Sequence, residues 1–151
     1  MTFKSIFIAG LFSNRVAIVT GGGSGIGRCT AHELSALRAN VAVVVCYQAK
    51  LSPLQQEISD AGGNASTHIC DIREEDQVCA TVEAILKTHN RIDYLVNNAG
   101  GQFSAPLEKI SAKGWDAVVR NNLTGGFLFA RECYTQWMKA QRGEGDHAIV
   151  N

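Results

Sequence analysis

The sequence predicts an α/β fold built on a doubly wound parallel sheet. Apolar runs of strand length alternate with stretches of helical periodicity along almost the whole 151-residue chain. One of these runs, Val41–Val45, is apolar at every position, as in a strand that is covered on both faces. Because such alternation implies right-handed β-α-β units, we expect the strand order 3-2-1-4-5.

The first strand, Val16–Thr20, runs directly into the glycine cluster of residues 21–27 and then into a helix. The spacing is Gly-x-x-x-Gly-x-Gly, and Gly21, Gly25 and Gly27 allow a sharp turn and a close approach to the backbone. The helix that opens near Gly25 directs unpaired N–H groups and the positive end of its dipole at this turn, which suits a pyrophosphate. We therefore expect a dinucleotide-binding turn, with an ordinary strand-to-helix turn as the alternative.

The second helix and the third strand come next. Pro53 suits the first turn of a helix over Pro53–Ala61, with Ser52 as its N-cap and Gly62 just past its end. The third strand, Ser66–Cys70, is more polar than the first two. We therefore place it near an edge of the sheet.

The remaining elements continue the alternation. Acidic residues at 74–76 begin a third helix, and Ile92–Val96 is the fourth strand. A long helical pattern covers Ala112 to Gln141, and Ala148–Val150 begins a fifth strand. In this topology the order in which strands join the sheet reverses between strands 1 and 4, and ligands bind at the carboxyl ends of the strands there.

Composition argues against several classes of function. Lys plus Arg number 14 and Asp plus Glu number 14, without a basic block, so we expect no nucleic-acid partner. No apolar run approaches the ~20 residues of a membrane span, so we expect no membrane partner. The 5 cysteines form no Cys-x-x-Cys pair and the 4 histidines share no ligand spacing. This pattern predicts free thiols, no metal site and a cytoplasmic location.

We expect an N-terminal arm over residues 1–13 and one dinucleotide-binding domain over residues 14–151. The apolar run at residues 6–12 follows a single lysine, and no small-residue cleavage site comes after it. An arm lying on the domain is therefore expected rather than a signal peptide.

Four motifs occur in order along the chain. They are Thr20-Gly21-x-x-x-Gly25-x-Gly27, Asp71 after the third strand, Asn97-Asn98-Ala99-Gly100 after the fourth, and Asn122-Leu123-Thr124-Gly125. In order and spacing they resemble the short-chain dehydrogenase/reductase family, whose fold is of the Rossmann type. Gly101-Gln102-Phe103 and Lys113-Gly114-Trp115 resemble more particularly its peroxisomal trans-2-enoyl-CoA reductase branch and the bacterial relatives of that branch.

The resemblance implies a site for a nicotinamide dinucleotide. Asp71 would face the adenine, or serve only as a turn or N-cap acid. Asn98 and Gly100 would lie beside the ribose and nicotinamide, and the amides of Asn97 and Asn98 would tie strand ends together, with a simple Asn-rich turn as the alternative. The residues expected to bind the cofactor are Thr20, Gly21, Ser24, Gly25, Ile26, Gly27, Cys46, Asp71, Ile72, Asn98, Ala99 and Gly100.

Asn122 is the expected catalytic residue. It lies on an apolar stripe that includes Trp115 and Cys133, and a buried amide without partners would cost ~1–3 kcal/mol. Gly125 and Gly126 follow in mid-helix at about 1 kcal/mol each relative to Ala, which indicates close packing or a kink. The resemblance implies a proton relay that holds a water near the catalytic lysine; a satisfied core Asn is the alternative.

Two positions depart from the family pattern. Arg38 stands where relatives have a glycine with positive φ, so we expect strain or a different helix cap. Residues 45–47 are Val-Cys-Tyr and lack the acid that selects NAD at the end of the second strand. With Ser24 and Lys50 nearby, we expect NADP, with NAD as the alternative.

The family's catalytic serine and its Tyr-x-x-x-Lys motif would lie beyond the fifth strand. None of Tyr47, Tyr94 and Tyr134 has a Lys four residues later. We therefore expect a fragment or truncated product, cut off after the start of strand 5 and inactive alone.

For the complete enzyme, the resemblance implies a homo-oligomer that transfers hydride to an enoyl-CoA or another acyl-type substrate. A peroxisomal rather than cytoplasmic location remains open. The alternatives are a short-chain alcohol or 3-oxoacyl dehydrogenase and, from another class, a non-catalytic nucleotide-binding or subunit-interaction protein.

Overall fold

A five-stranded parallel sheet forms the centre of the molecule. The computed structural model describes residues 5–47, 52–143 and 145–151. Every neighbouring pair of strands is parallel and the order is β3-β2-β1-β4-β5, which confirms the predicted topology. The strands are β1 (Val16–Thr20), β2 (Asn40–Val45), β3 (Asn64–Ile69), β4 (Tyr94–Val96) and β5 (Ala148–Val150).

Helices cover both faces of this sheet. The helices are α1 (Gly25–Ala36), α2 (Ser52–Asp60), α3 (Glu75–His89), α4 (Ala112–Val119) and α5 (Gly125–Cys133). On one face Val41 and Val43 pack with Ala31 of α1 and with Leu54 and Ile58 of α2. On the other face the sheet packs against α3 and α5, in a core that contains Ile18, Val44, Leu95, Val82 and Phe129. The sheet is therefore doubly wound, as predicted.

The long predicted helix is present but interrupted. A π-helical turn at Arg120–Thr124 joins α4 to α5, and a second one at Tyr134–Met138 follows α5. The first of these turns contains Asn122, where the sequence predicts a kink or close packing. A π turn inserts a residue into the helical ladder and so rotates the following face relative to the preceding one.

Helix ends adopt left-handed backbone conformations where the sequence predicts special caps. Arg38, just past α1, has φ +74°, so the strain expected from a missing glycine is present. The N–H of Ala39 bonds to Leu34 O at 3.0 Å and closes that helix end. After α2, Gly62 has φ +77° and fills the same role without a side chain.

The described part of the N-terminal arm lies against α1 and β4. The N–H of Phe12 donates to Leu37 O at 3.0 Å, and the Phe12 ring meets the Tyr94 ring edge-on with centroids 5.3 Å apart. Ile6 and Ile8 are exposed. Among the helices of the described residues, none combines the length and apolar character needed to cross a membrane.

Candidate nucleotide site

A cleft of about 420 Å³ opens at the carboxyl ends of the strands, around the position where the strand order reverses. Its walls come from the end of β2 and from the loops that follow β1, β2, β3 and β4, with one residue from the α4–α5 junction. The lining residues are Gly21, Gly23, Ser24, Val44, Val45, Cys46, Tyr47, Cys70, Asp71, Ile72, Arg73, Asn98, Ala99, Gly100 and Asn121.

The glycine turn after β1 is shaped by packing at one end and by open space at the other. Gly21 has φ +67°, and a Cβ there would lie 2.8 Å from Ala99 Cα. A Cβ on Gly27 would lie 2.6 Å from Gly21 O. Gly25 has φ +54°, but a Cβ on it would meet nothing within 4 Å. The turn is therefore packed tightly against the β4 loop and open beside Gly25.

The start of α1 lies at this turn without a capping side chain. Ser24, the N-cap, is extended (φ −158°, ψ 166°), and its side chain makes no capping bond. The first turn of α1 contains no acidic residue. Because the first N–H groups of a helix have no partner within the helix, this end is suited to an anion.

Thr20 and Asn98 tie the carboxyl ends of β1 and β4 together. The Thr20 hydroxyl donates to Val96 O at 3.3 Å and accepts from the N–H groups of Asn98 and Ala99 at 3.1 and 3.0 Å. In return, Asn98 Nδ2 donates to Thr20 O at 3.0 Å and to Gly21 O at 3.3 Å. This network is the predicted tie, and it fixes the floor of the cleft.

The neighbouring amide of Asn97 ties β4 in the other direction. Its Nδ2 donates to Gly126 O of α5 at 3.1 Å and to Asn151 Oδ1, just past β5, at 2.8 Å. The two consecutive asparagines therefore connect β4 to β1, to β5 and to α5. The tie expected from the Asn97-Asn98 pair is present.

Asp71 combines a turn role with a place in the cleft. Its Oδ1 accepts from the backbone N–H of Arg73 at 3.0 Å and from Arg73 Nε at 2.8 Å, and its Oδ2 accepts from Arg73 Nη2 at 2.6 Å. This guanidinium holds the pKa of Asp71 below its usual range. Asp71 therefore acts as a turn acid, which was the alternative prediction, and it also lines the cleft.

Arg73 was missed by sequence reasoning. The available signal was a cation two residues after Asp71, a spacing at which both the backbone N–H and the side chain of Arg73 close on the carboxylate. The ion pair neutralises what would otherwise be an acidic wall of the cleft.

Ile72 explains a glycine in the middle of the long helix. Ile72 is buried and lines the cleft. A Cβ on Gly125 would lie 2.7 Å from Ile72 Cδ1 and 3.1 Å from Ile72 O. The close packing that the sequence predicts around Asn122 is therefore a contact between the β3 loop and α5.

Asn122 has the predicted hydrogen-bond partners but not the predicted burial. Its Nδ2 donates to Gly101 O at 2.6 Å and to Val118 O at 2.8 Å, and its Oδ1 accepts from the Gly101 N–H at 3.2 Å. The residue is exposed in this chain, as is Trp115, so the prediction of a buried apolar stripe through both was wrong. Because the π turn shifts the helical phase, the face that packs on the core runs instead through Gly125, Leu128, Phe129 and Cys133.

The structure brings most of the predicted cofactor residues to one place. Five predicted residues do not line the cleft. Thr20 is buried behind it, Gly25, Ile26 and Gly27 lie at the start of α1 with Ile26 80% exposed, and Asn122 lies beside it. Lys50 is outside the described residues. Eight predicted residues line the cleft: Gly21, Ser24, Cys46, Asp71, Ile72, Asn98, Ala99 and Gly100.

The remaining lining residues carry weaker sequence signals. Val45 and Tyr47 carry a signal for cofactor selectivity, at the end of the second strand, but none for cofactor contact. Gly23, Cys70 and Asn121 lie next to predicted residues, and their place in the cleft depends on how the loops turn; Val44 belongs to β2 itself.

The chain is similar to known oxidoreductases over most of its length. A curated relative, the peroxisomal 2,4-dienoyl-CoA reductase of Danio rerio, is 31% identical over 99% of this chain and 49% of its own length. The chain thus spans about half the length of this relative.

Two solved structures show the same architecture. The citronellol catabolism dehydrogenase of Pseudomonas aeruginosa PAO1 superposes with a TM-score of 0.91 at 50% identity, over 99% of this chain and 59% of that one. A metagenomic short-chain oxidoreductase in complex with NADP gives a TM-score of 0.82 at 36% identity, over 93% of this chain and 62% of that one. A family model described as short chain dehydrogenase matches residues 15–151. The chain therefore belongs to the short-chain dehydrogenase family.

Proposed function

We propose that this chain binds a nicotinamide dinucleotide in the cleft, with its pyrophosphate at the start of α1. The observation that carries this proposal is the glycine turn. It is packed against the β4 loop at Gly21 but is open beside Gly25, where α1 begins without a side-chain capping bond and without an acid in its first turn. These are the features that let a pyrophosphate approach the backbone.

The side chains that line the cleft after β2 and β3 support NADP rather than NAD. Among the described residues that line the cleft, Asp71 is the only carboxylate, and Arg73 occupies both of its oxygens. Cys46 and Tyr47 stand where a selective acid would accept from the ribose 2′-hydroxyl. A 2′-phosphate would therefore meet no free negative charge there and would lie near the Arg73 guanidinium.

For the complete enzyme we propose hydride transfer to the activated double bond of an enoyl-CoA or acyl-type substrate. The similarity to a 2,4-dienoyl-CoA reductase supports this substrate class. The second candidate is an alcohol or carbonyl substrate, which the 50% identity to a citronellol catabolism dehydrogenase favours. The nucleotide supplies the hydride when bound, and Asn122 would hold a water for proton relay.

Oligomer formation and location complete the proposal. Trp115, Leu123 and Phe127 are large apolar side chains exposed on the helices α4 and α5 and on the π turn between them. We propose that this surface packs against another subunit in the full-length protein. We retain a cytoplasmic location, with the peroxisome as the alternative that the named relative suggests.

Fluorescence titration of the chain with NADPH and NADH tests the nucleotide site. We expect saturable binding that is tighter for NADPH. If neither nucleotide gives saturable binding, the proposed nucleotide site is refuted. If NADH binds more tightly than NADPH, the proposed preference for NADPH is refuted. We expect no NADPH oxidation by residues 1–151 with crotonyl-CoA, because they contain no Tyr-x-x-x-Lys motif.

The substrate class is tested with full-length protein. Faster NADPH oxidation with crotonyl-CoA than with an aldehyde or ketone would support the first candidate. The opposite ranking would support the second.

A further inference from the structure

Two cysteines follow directly after a pair of neighbouring strands. The last register pair of β2 and β3 is Val45 and Ile69, and the next residue on each strand is Cys46 and Cys70 respectively. The strands are still hydrogen-bonded at this level, since the N–H of Cys70 donates to Val45 O at 2.9 Å. Adjacent strands lie about 4.8 Å apart. This spacing falls within the Cα separations of about 4.4–6.8 Å found in disulfides.

The strand alternation, extended by one residue past β2 and β3, puts the two side chains on the same side of the sheet. Residues two apart along a strand face the same way. Val44, two residues before Cys46, lies in one core cluster with Cys70. Both cysteines line the candidate nucleotide cleft. The register of the strands and the shared cleft together indicate that the thiols are neighbours.

The two thiols differ in solvent exposure, and this difference sets the order in which they react. Cys46 is exposed and lies in a bend just past β2, whereas Cys70 is 1% exposed. A reagent from solution therefore meets Cys46 first. Burial raises the pKa of the Cys70 thiol, despite a hydrogen bond with Thr81, so Cys70 is the slower partner.

We propose that Cys46 and Cys70 are an oxidisable dithiol whose disulfide closes the β2–β3 end of the nucleotide cleft. The formation of the disulfide stands on the geometry of the strands alone. Its effect on the nucleotide rests on the proposed function, because the adenosine half of the cofactor would occupy this end of the cleft.

The oxidant is a small-molecule disulfide such as oxidised glutathione. The Cys46 thiolate attacks one of its sulfurs, forms a mixed disulfide and releases one glutathione thiolate. Cys70 then gives its proton to solvent, and its sulfur attacks the Cys46 sulfur and releases the second glutathione. Two protein thiols are oxidised to one disulfide, and one glutathione disulfide is reduced to two thiols.

Peptide mapping tests the bond directly. Cleavage after Lys and Arg places Cys46 on residues 39–50 and Cys70 on residues 51–73, and the other three cysteines fall on three further peptides. After oxidation of the folded chain with glutathione disulfide, we expect 39–50 linked to 51–73, and the link should disappear with dithiothreitol. If Cys46 carries only glutathione, or pairs with another cysteine, the proposal is overturned.

Nucleotide binding tests the consequence. We expect oxidation to weaken NADPH binding at least about tenfold and reduction to restore it. Cys46→Ser should abolish both the link and the response to oxidation. Cys29→Ser, at an exposed cysteine on α1, should preserve both.

The two proposals fail separately. A disulfide that leaves the NADPH affinity unchanged would refute closure of the cleft. Failure of the reduced chain to bind NADPH would refute the proposed function. The peptide map would still decide whether the dithiol exists.

Discussion

Gly21→Ala probes the turn on which the candidate site depends. A left-handed backbone costs an alanine about 1–2 kcal/mol relative to glycine. The new methyl would also lie 2.8 Å from Ala99 Cα and 2.9 Å from Asn98 Nδ2. Overpacking of this kind costs about 1–3 kcal/mol. We therefore expect the free energy of unfolding to fall by about 2–5 kcal/mol in total.

Gly62→Ala is the matched control. Gly62 has φ +77°, but its Cβ would meet nothing within 4 Å, so this variant carries the backbone cost without the clash. We expect a loss of only about 1–2 kcal/mol. Urea denaturation followed by circular dichroism measures both variants under the same conditions.

Nucleotide binding separates the two variants further. Relief of the clash at Gly21 must move Asn98 or Ala99, and both line the cleft. We expect NADPH affinity to fall at least about tenfold in folded Gly21→Ala and to stay unchanged in Gly62→Ala, a difference of about 1.4 kcal/mol or more. Equal stability of the two variants together with equal affinity would refute this account of the turn.

Three further variants test other parts of the account. Asp93→Asn should cost about 3–5 kcal/mol, because it removes a fully buried carboxylate that is paired with Arg15 and Arg91; urea denaturation at neutral pH measures it. Cys46→Asp should shift the ratio of NADH to NADPH affinity about tenfold toward NADH, measured by titration, because it introduces an acid at the end of β2. Asn122→Ala should cost about 1 kcal/mol in unfolding free energy through its lost hydrogen bonds. In full-length enzyme it should lower kcat and leave the Kd for NADPH unchanged.

The buried carboxylate of Asp93 should also make the stability of the folded chain depend on pH. Burial opposes ionisation of Asp93, but hydrogen bonds from Arg91, Val16 N–H and Arg15 outweigh it and lower the pKa. A lowered folded-state pKa gives stability that is present above the unfolded value of about 3.9 and is lost as pH falls through the folded value. Below about pH 4, the parent chain should therefore lose stability more steeply than Asp93→Asn.

For each of these variants, one result would contradict the prediction. Asp60→Asn, at an exposed carboxylate at the end of α2, serves as the control for Asp93→Asn and should change stability little. Equal effects of the two would contradict the structural role of Asp93. If Cys46→Asp leaves the ratio of NADH to NADPH affinity unchanged, residues other than Cys46 determine the choice between the two nucleotides. A normal kcat in Asn122→Ala would remove the proton-relay role.

The sequence was sufficient to predict the sheet because its periodicity is strong. Val41–Val45 is apolar throughout and occupies a central strand, whereas β3 is more polar and lies at the edge. The glycine spacing and the Asn97-Asn98 pair predicted where β1 and β4 meet. These features are local, and each constrains the chain through backbone conformation or through short-range hydrogen bonds.

Features that depend on the relative placement of elements could not be predicted. The exposure of Asn122 follows from a π turn, which has no clear signature in the apolar pattern. The Arg73–Asp71 pair depends on how the loop after β3 turns. The neighbouring Cys46 and Cys70 require the β2–β3 register, which residue spacing along the chain does not specify.

Hydrogen–deuterium exchange of the chain with and without saturating NADPH tests the central claim most directly. The claim predicts slower exchange in the backbone amides of three segments: the glycine turn at residues 21–27, residues 70–73 after β3, and residues 98–100 after β4. The surface of α2 should be unchanged. Exchange that is identical with and without NADPH, or slowed only outside these three segments, would contradict the claim.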